Sequence, residues 1–313
     1  MEFVQSACLN LWAIMEPVNF KHISTDRLSS LPGRTGDPDI SILRLDSIHP
    51  EISGNKWFKL RYYLDDAIAN KKQTIATFGG AWSNHILATA AACKLEGLHS
   101  IGFIRGEKPQ RLSYTLTKAA EYGMQLFFIP RTDYKQKIMP RISGIDPSAY
   151  FVPEGGYGTK GMEGAATIAG YYANESYTHI CCAAGTGTMT AGLVKAAGPG
   201  QKILGISVLK NNSGIENDIK ALIPAGTPPG NLLINHDYHF GGYAKKNQPL
   251  LDFMNRFYRQ TGIPSDFVYT GKLLYGILDL AARNFFAAGS RILIIHSGGL
   301  QGNNSLPPGT LIF

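Results

Sequence analysis

The sequence predicts an α/β protein whose mostly parallel sheets carry helices on both faces, and three observations lead there. Short apolar runs alternate with segments of helical period along most of the chain. The 313 residues suffice for two compact lobes or one large domain. Glycine pairs (Gly79-Gly80, Gly155-Gly156, Gly298-Gly299) and the spaced Gly185 and Gly187 fall where loops leave strands. Ligands on such sheets sit beyond the carboxyl ends of strands.

The elements follow in order. Ile40–Leu45 reads as a strand, Lys59–Asn70 as a helix, Thr74–Phe78 as a strand and Asn84–Glu96 as an alanine-rich helix. Then come strand Ile101–Ile104, helix Leu112–Tyr122 and strand Leu126–Ile129. Beyond Pro153 the rhythm resumes with helix Gly161–Ala173, strand Thr178–Ala183, helix Met189–Ala197, strand Ile203–Val208 and helix Ser213–Ile223. Helices over about Leu250–Thr261 and Lys272–Ala288 precede a last strand, Arg291–His296. No repeat, low-complexity tract or long linker interrupts the series.

Apolar residues make up 44% and charged residues 17%, which supplies a sizeable core. The net charge of +7 is scattered, with no basic stripe interleaved with aromatics, so it fits anionic small molecules better than nucleic acid. Cys8, Cys93, Cys181 and Cys182 form no Cys-x-x-Cys pair and read as buried apolar residues in a reducing compartment. No run approaches the length of a membrane span. The first fourteen residues lack a basic n-region and a cleavage site, and Met15 is a candidate start. A cytoplasmic protein is expected, without metal, since no His, Cys or carboxylate pair has ligand spacing on a helix.

Four segments carry chemistry. In Ser53-Gly54-Asn55-Lys56 a lysine follows a tight turn at the mouth of an apolar helix, where lost hydration favours the neutral, nucleophilic amine. Lys59 lies three residues on along the same face, and composition does not choose between the two. In Gly79-Gly80-Ala81-Trp82-Ser83-Asn84-His85 a strand ends in two glycines and Ser-Asn opens a helix, offering free N–H groups to a carboxylate. In Gly185-Thr186-Gly187-Thr188-Met189-Thr190 small residues and hydroxyls suit a phosphate; the third glycine and distal acid of a dinucleotide site are missing. In His296-Ser297-Gly298-Gly299 a strand end presents Ser297, while His296 reads as structural.

Taken together and in order, these segments, with Pro153–Gly156, Ala191-Gly192-Leu193 and Tyr269–Lys272, resemble the pyridoxal 5′-phosphate (PLP)-dependent family that contains 1-aminocyclopropane-1-carboxylate (ACC) deaminase and D-cysteine desulfhydrase. The resemblance runs from about Ser53 to Gly299. It implies a two-lobed, tryptophan-synthase β-like fold, with residues 58–152 as the small lobe and residues 1–57 plus 153–313 as the large one. It places the Schiff-base lysine at Lys56, the ring-oxygen partner at Asn84, and the phosphate cradle at Gly185, Thr186, Gly187, Thr188 and Thr190. Ser83, Asn84 and His85 would receive the substrate carboxylate beside Trp82. Tyr269 and Tyr243 match active-site tyrosines, and Ser297 faces the cofactor.

Two positions bear on the reaction. ACC deaminases resemble this chain except for Glu at position 270 and Leu at 297, whereas D-cysteine desulfhydrases carry small hydroxyl residues at both, as Thr270 and Ser297 do here. A neutral hydroxyl near the pyridine nitrogen leaves a weaker electron sink, which suits α,β-elimination with a good leaving group. The expectation is therefore a D-cysteine desulfhydrase-like lyase acting on a small amino acid, assembled as a homodimer. The alternatives are an ACC deaminase, a serine/threonine dehydratase or racemase, a non-catalytic PLP or amino-acid binder, and a nucleotide-binding regulator. Trp82 stands where both subfamilies usually place Gln, which alters the pocket.

Overall fold

The computed structural model describes residues 17–28, 38–135, 148–224 and 231–313. The readings on Cys8, Met15 and the first fourteen residues lie outside them. The described strands form two sheets. The larger has six strands: β1 (Thr25–Arg27), β2 (Asp39–Arg44), β7 (His179–Ala184), β8 (Lys202–Ser207), β9 (Leu232–Asn235) and β10 (Arg291–His296), in the order β1-β2-β10-β7-β8-β9. All its pairings are parallel except that of β1 with β2. The smaller sheet, ordered β5-β4-β3-β6, is fully parallel and comprises β3 (Thr74–Gly79), β4 (His99–Arg105), β5 (Met124–Ile129) and β6 (Tyr150–Val152). The three-residue β1 and β6 and the four-residue β9 are too short for a strand pattern to stand out in the sequence.

Both faces of the large sheet are covered, as the alternation of side chains along its strands requires. Cys181 and Ile294 face a core with Leu250, Met254 and Phe257 of α8 (Gln248–Thr261) and Leu273, Leu274 and Ile277 of α9 (Thr270–Ala282). Their neighbours Cys182 and Ile295 face the opposite core, with Ala165 of α5 (Thr159–Ala166) and Met189 and Leu193 of α6 (Thr188–Ala196). In the small sheet Ile75 packs on α1 (Asn55–Ala69) and on the alanines of α2 (Asn84–Leu95), while α3 (Tyr114–Glu121) covers Ile86 and Met124. The short α4 (Arg131–Lys135) adds Tyr134 to the Phe78–Phe103 cluster, and α7 (Ile215–Leu222) packs beside α6. Cys93, Cys181 and Cys182 are free and buried. No described helix is long and apolar enough to cross a membrane.

Some boundaries differ from the sequence reading. The helix expected from Lys59 begins at Asn55, because Gly54 supplies a left-handed turn (φ 63°) that lets the helix start directly after it. Lys56 therefore sits in the first turn of α1. The helix expected to Ala173 gives way at Thr167 to a 3-10 turn, and the one expected to Ala288 stops at Ala282, before Asn284 at φ 59°. α1 serves both cores: Phe58 belongs to the large-sheet core, and Leu60, Tyr63, Leu64 and Ala67 to the small-sheet core. The expected lobe boundary at residue 57/58 thus runs through this helix.

The carboxyl ends of β3, β7 and β10 meet beside the start of α1. A Cβ on Gly54 would fall 1.9 Å from the Ser297 carbonyl oxygen, so this junction closes on bare backbone. Gly54→Ala should therefore cost about 3–5 kcal/mol, the sum of left-handed strain and overpacking. Gly97→Ala, at φ 68° with no neighbour within 4 Å, should cost only about 1–2 kcal/mol. Urea denaturation of both variants checks the contrast.

Candidate active site

Lys56 is the centre of the arrangement. Its Nζ donates to Asn55 Oδ1 at 2.9 Å and lies 5.8 Å from the centroid of the Tyr269 ring. Burial pushes its amine down to about 8, with the Asp266 carboxylate pulling the other way. Lys59 is 4% exposed, and burial followed by the charge of Lys56 pushes it well below the ordinary lysine range. Among the described residues no carboxylate makes an ion pair with either lysine. An anion arriving here would favour the charged form of Lys59, which burial and Lys56 otherwise disfavour.

The anion cradle is the turn from β7 into α6. Gly187, at φ 75°, caps the helix; a Cβ there would strike Ile219 at 2.6 Å. A Cβ on Gly185 would stand 3.1 Å from Tyr269 Cε1, so the missing side chain lets this turn lie against the tyrosine beside Lys56. The Thr186 and Thr188 hydroxyls are 3.0 Å apart. The leading N–H groups of α6 have no partner within the helix and carry the positive end of its dipole. Thr190 is placed differently: its hydroxyl lies 3.3 Å from Cys182 Sγ, inside the core. The Lys59 side chain runs past Gly156, and Gly155 meets Thr186, so the second amine approaches the same turn.

Across the seam, Ser83 caps α2, its Oγ accepting from the Ile86 N–H at 3.4 Å. The hydroxyl proton stays available. Asn84 reaches the other lobe, Nδ2 donating to the Gly299 carbonyl at 3.4 Å, while its buried Oδ1 has no partner. The His85 imidazole packs inside the small lobe, against Thr77. Thr77 donates its only proton to the Val152 carbonyl at 2.7 Å, so the hydrogen-bond network assigns the 2.9 Å contact as His85 Nε2–H donating to Thr77. Nδ1 is left as a buried lone pair without a partner. Burial and the two lysines push this ring well below its ordinary range, keeping it neutral. A neutral acceptor repels a carboxylate; only the backbone N–H of His85 suits that ligand. Trp82 is exposed in the turn before Ser83.

Tyr269 is wholly inside the site and Tyr243 lies at its edge, their ring centroids 6.2 Å apart. Burial, then Tyr243, raises the Tyr269 hydroxyl well above its ordinary range, so it holds its proton. Ser297 is buried, and its carbonyl accepts from the Asn55 N–H at 3.3 Å. His296 is structural, as expected: Nε2 meets the Pro264 carbonyl at 2.7 Å and Nδ1 meets Asp46 at 3.0 Å.

Sequence reasoning missed Asp266. It is 0% exposed and accepts from the N–H groups of Val268, Tyr269 and Thr270 at 2.8–2.9 Å. Thr270 donates its hydroxyl proton to Asp266 Oδ1 at 2.7 Å and accepts from the Asp266 N–H at 2.7 Å. The neutral position at 270 is therefore backed by a carboxylate. The signal was an Asp four residues before a Thr at a helix start, which reads first as a cap. Burial raises this carboxyl and the Thr270, Tyr269 and Val268 hydrogen bonds oppose it.

The residues fit PLP on their own chemistry: a desolvated amine for its aldehyde, a helix start plus Lys59 for its phosphate, and the orphaned Asn84 for its polar ring edge. The comparisons agree. A family model described as pyridoxal-phosphate dependent enzyme matches residues 25–298. A Pyrococcus furiosus protein named provisionally as a 1-aminocyclopropane-1-carboxylate deaminase is 30% identical over 283 residues, covering 84% of this chain and 85% of the relative. The D-cysteine desulfhydrase of Yersinia enterocolitica is 27% identical over 300 residues, covering 87% and 89%. The crystal structure of an ACC deaminase homologue superposes with a TM-score of 0.77 at 28% identity, covering 92% of both chains.

The position of Lys56 gives a pH dependence with a definite sign. Because its amine is pushed down to about 8, the reactive neutral fraction should grow about tenfold per pH unit below 8 and level off above it. Stopped-flow absorbance after mixing cofactor-free protein with PLP should show this profile. A rate still climbing toward pH 10 would mean that Lys56 is hydrated.

Proposed function

This chain belongs to the pyridoxal-phosphate-dependent enzyme family, and on that premise we propose that it is a lyase eliminating the β-substituent of a small amino acid to give pyruvate and ammonia. The observation that carries the reading is the convergence of Lys56 and the Gly185 turn on the Tyr269 ring. When bound, PLP supplies an aldehyde for amines and a ring that spreads the negative charge left on a deprotonated Cα.

The chain's own residues do the rest. The start of α2 orients the substrate carboxylate through backbone N–H groups, with the Ser83 hydroxyl donating. Lys56 Nζ, neutral in substantial part at pH 8, is the base for the α-proton, and its place in the first turn of α1 fixes where that proton goes. Tyr269, held in its protonated form by burial, donates to a leaving group rather than acting as a base. Tyr243 orients Tyr269 from the edge of the site. The Gly185–Thr188 turn and Lys59 hold the phosphate. Thr190 braces that turn from the core side through Cys182.

We take residues 58–152 as the small lobe and the flanking parts as the large lobe, and a cytoplasmic homodimer as the working form. A second reading, ACC deaminase, draws support from Asp266: a buried carboxylate behind Thr270 makes the surroundings of the ring more anionic than a lone hydroxyl would.

Purified protein offered D-cysteine, β-chloro-D-alanine, L-serine and ACC separates the readings. Pyruvate from the first two is expected; 2-oxobutyrate from ACC alone would favour the deaminase, and a coloured protein that turns nothing over would favour a binding role. Lys56→Ala should abolish turnover and leave no lysine at this site for borohydride to label. Tyr269→Phe should cost about 10²–10⁴-fold in kcat.

A further inference from the structure

Arg105 is the cation of the cleft that the scheme above does not use. It ends β4, beside the carboxyl end of β3, and its Nη2 lies 3.5 Å from where a Cβ on Gly80 would stand. The guanidinium therefore leans over the glycine turn that leads to Ser83. On one side it lies 5.7 Å from the centroid of the Tyr134 ring. From the large lobe comes Tyr243, whose hydroxyl burial raises and Arg105 lowers. Arg105 thus stands over the Gly80 turn beside the Tyr134 ring, with its side chain exposed.

Among the described residues no carboxylate makes an ion pair with it. Glu154, the acid of this group, accepts the Tyr134 hydroxyl at 2.7 Å. The α-carboxylate of a substrate has a receptor of its own at the start of α2, built of N–H groups and a hydroxyl. A guanidinium beside that receptor suits a second, oxyanionic group, because its planar fork matches phosphate and sulfonate geometry.

We propose that Arg105 receives a negatively charged group on the β-carbon of the substrate, so that the preferred substrates are amino acids whose leaving group is itself an oxyanion. The proposal rests on the elimination reading. With O-phosphoserine the Cα–H and Cβ–O bonds break, the bonding pair leaves with the phosphate, and one water is consumed as the nitrogen is released. The products are pyruvate, ammonium and hydrogen phosphate, with no oxidant or reductant involved. Cation and leaving anion are drawn together most as the Cβ–O bond breaks, so the contact lowers the barrier as well as KM.

The test uses the PLP-loaded enzyme, both enantiomers of O-phosphoserine, and both enantiomers of β-chloroalanine as the uncharged counterpart. Wild type should prefer O-phosphoserine in kcat/KM. Arg105→Gln should lower the ratio of the two kcat/KM values about 10–100-fold, as for loss of one charge-assisted contact, and Arg105→Lys should restore part of it. The preference should shrink as salt rises from 0.05 to about 0.5 M. An equal loss on both substrates, or no wild-type preference, would overturn the proposal. Dissociation constants from tryptophan fluorescence form a separate arm. If neither compound is turned over, the elimination reading falls; Arg105-dependent binding of O-phosphoserine would still support the anion site, and Arg105-independent binding, or none, would overturn it.

Discussion

Everything at this site depends on keeping water away from one amine. Lys56 is half-buried in the first turn of α1, and that helix starts directly after Gly54, which lies flush against the Ser297 carbonyl. Backbone meets backbone there, so the end of β10 forms the wall behind the lysine. Any side chain at position 54 would push the start of α1 off the end of β10 and let water in. The low basicity of Lys56, the neutrality of His85 and the retained proton of Tyr269 all follow from the same exclusion of solvent.

Much of this was legible in the sequence. Strand and helix periods located seven of the described strands and most of the helices, because long buried runs leave a strong pattern. The glycine clusters located the site, since a backbone that must approach a ligand or another backbone has few alternatives. Lys56 against Lys59 was not decided by composition, and the reason is visible: the two stand three residues apart in α1, Lys59 buried and Lys56 partly so, and the charge of Lys56 acts on Lys59.

What stayed hidden is what depends on partners distant in sequence. The sequence placed His85 at a helix start that offers N–H groups, and it did not show that Thr77 and Val152, on two neighbouring strands, engage the imidazole. Thr190 belonged to the glycine-rich turn by position and to the Cys182 core by geometry. In each case spacing placed the residue at the site, and a partner distant in sequence engages its side chain. Hydrogen-bond donors and acceptors are exclusive, and a sequence does not show who holds which.

Position 270 carries the same lesson into the chemistry. Read alone, a threonine where a relative has glutamate suggests a neutral surrounding for the cofactor ring. In the fold its hydroxyl proton is committed to Asp266, so toward any group in the cleft Thr270 offers a lone pair and no proton. A ring edge resting against it gains by arriving as a donor, and the carboxylate behind strengthens that preference through the shared hydrogen bond. Threonine backed by aspartate is thus an attenuated version of glutamate, with the charge one bond further away. Elimination of a good leaving group needs no more than that, and ring opening is served less well, which is why a substitution at a single position can grade two chemistries without separating them absolutely.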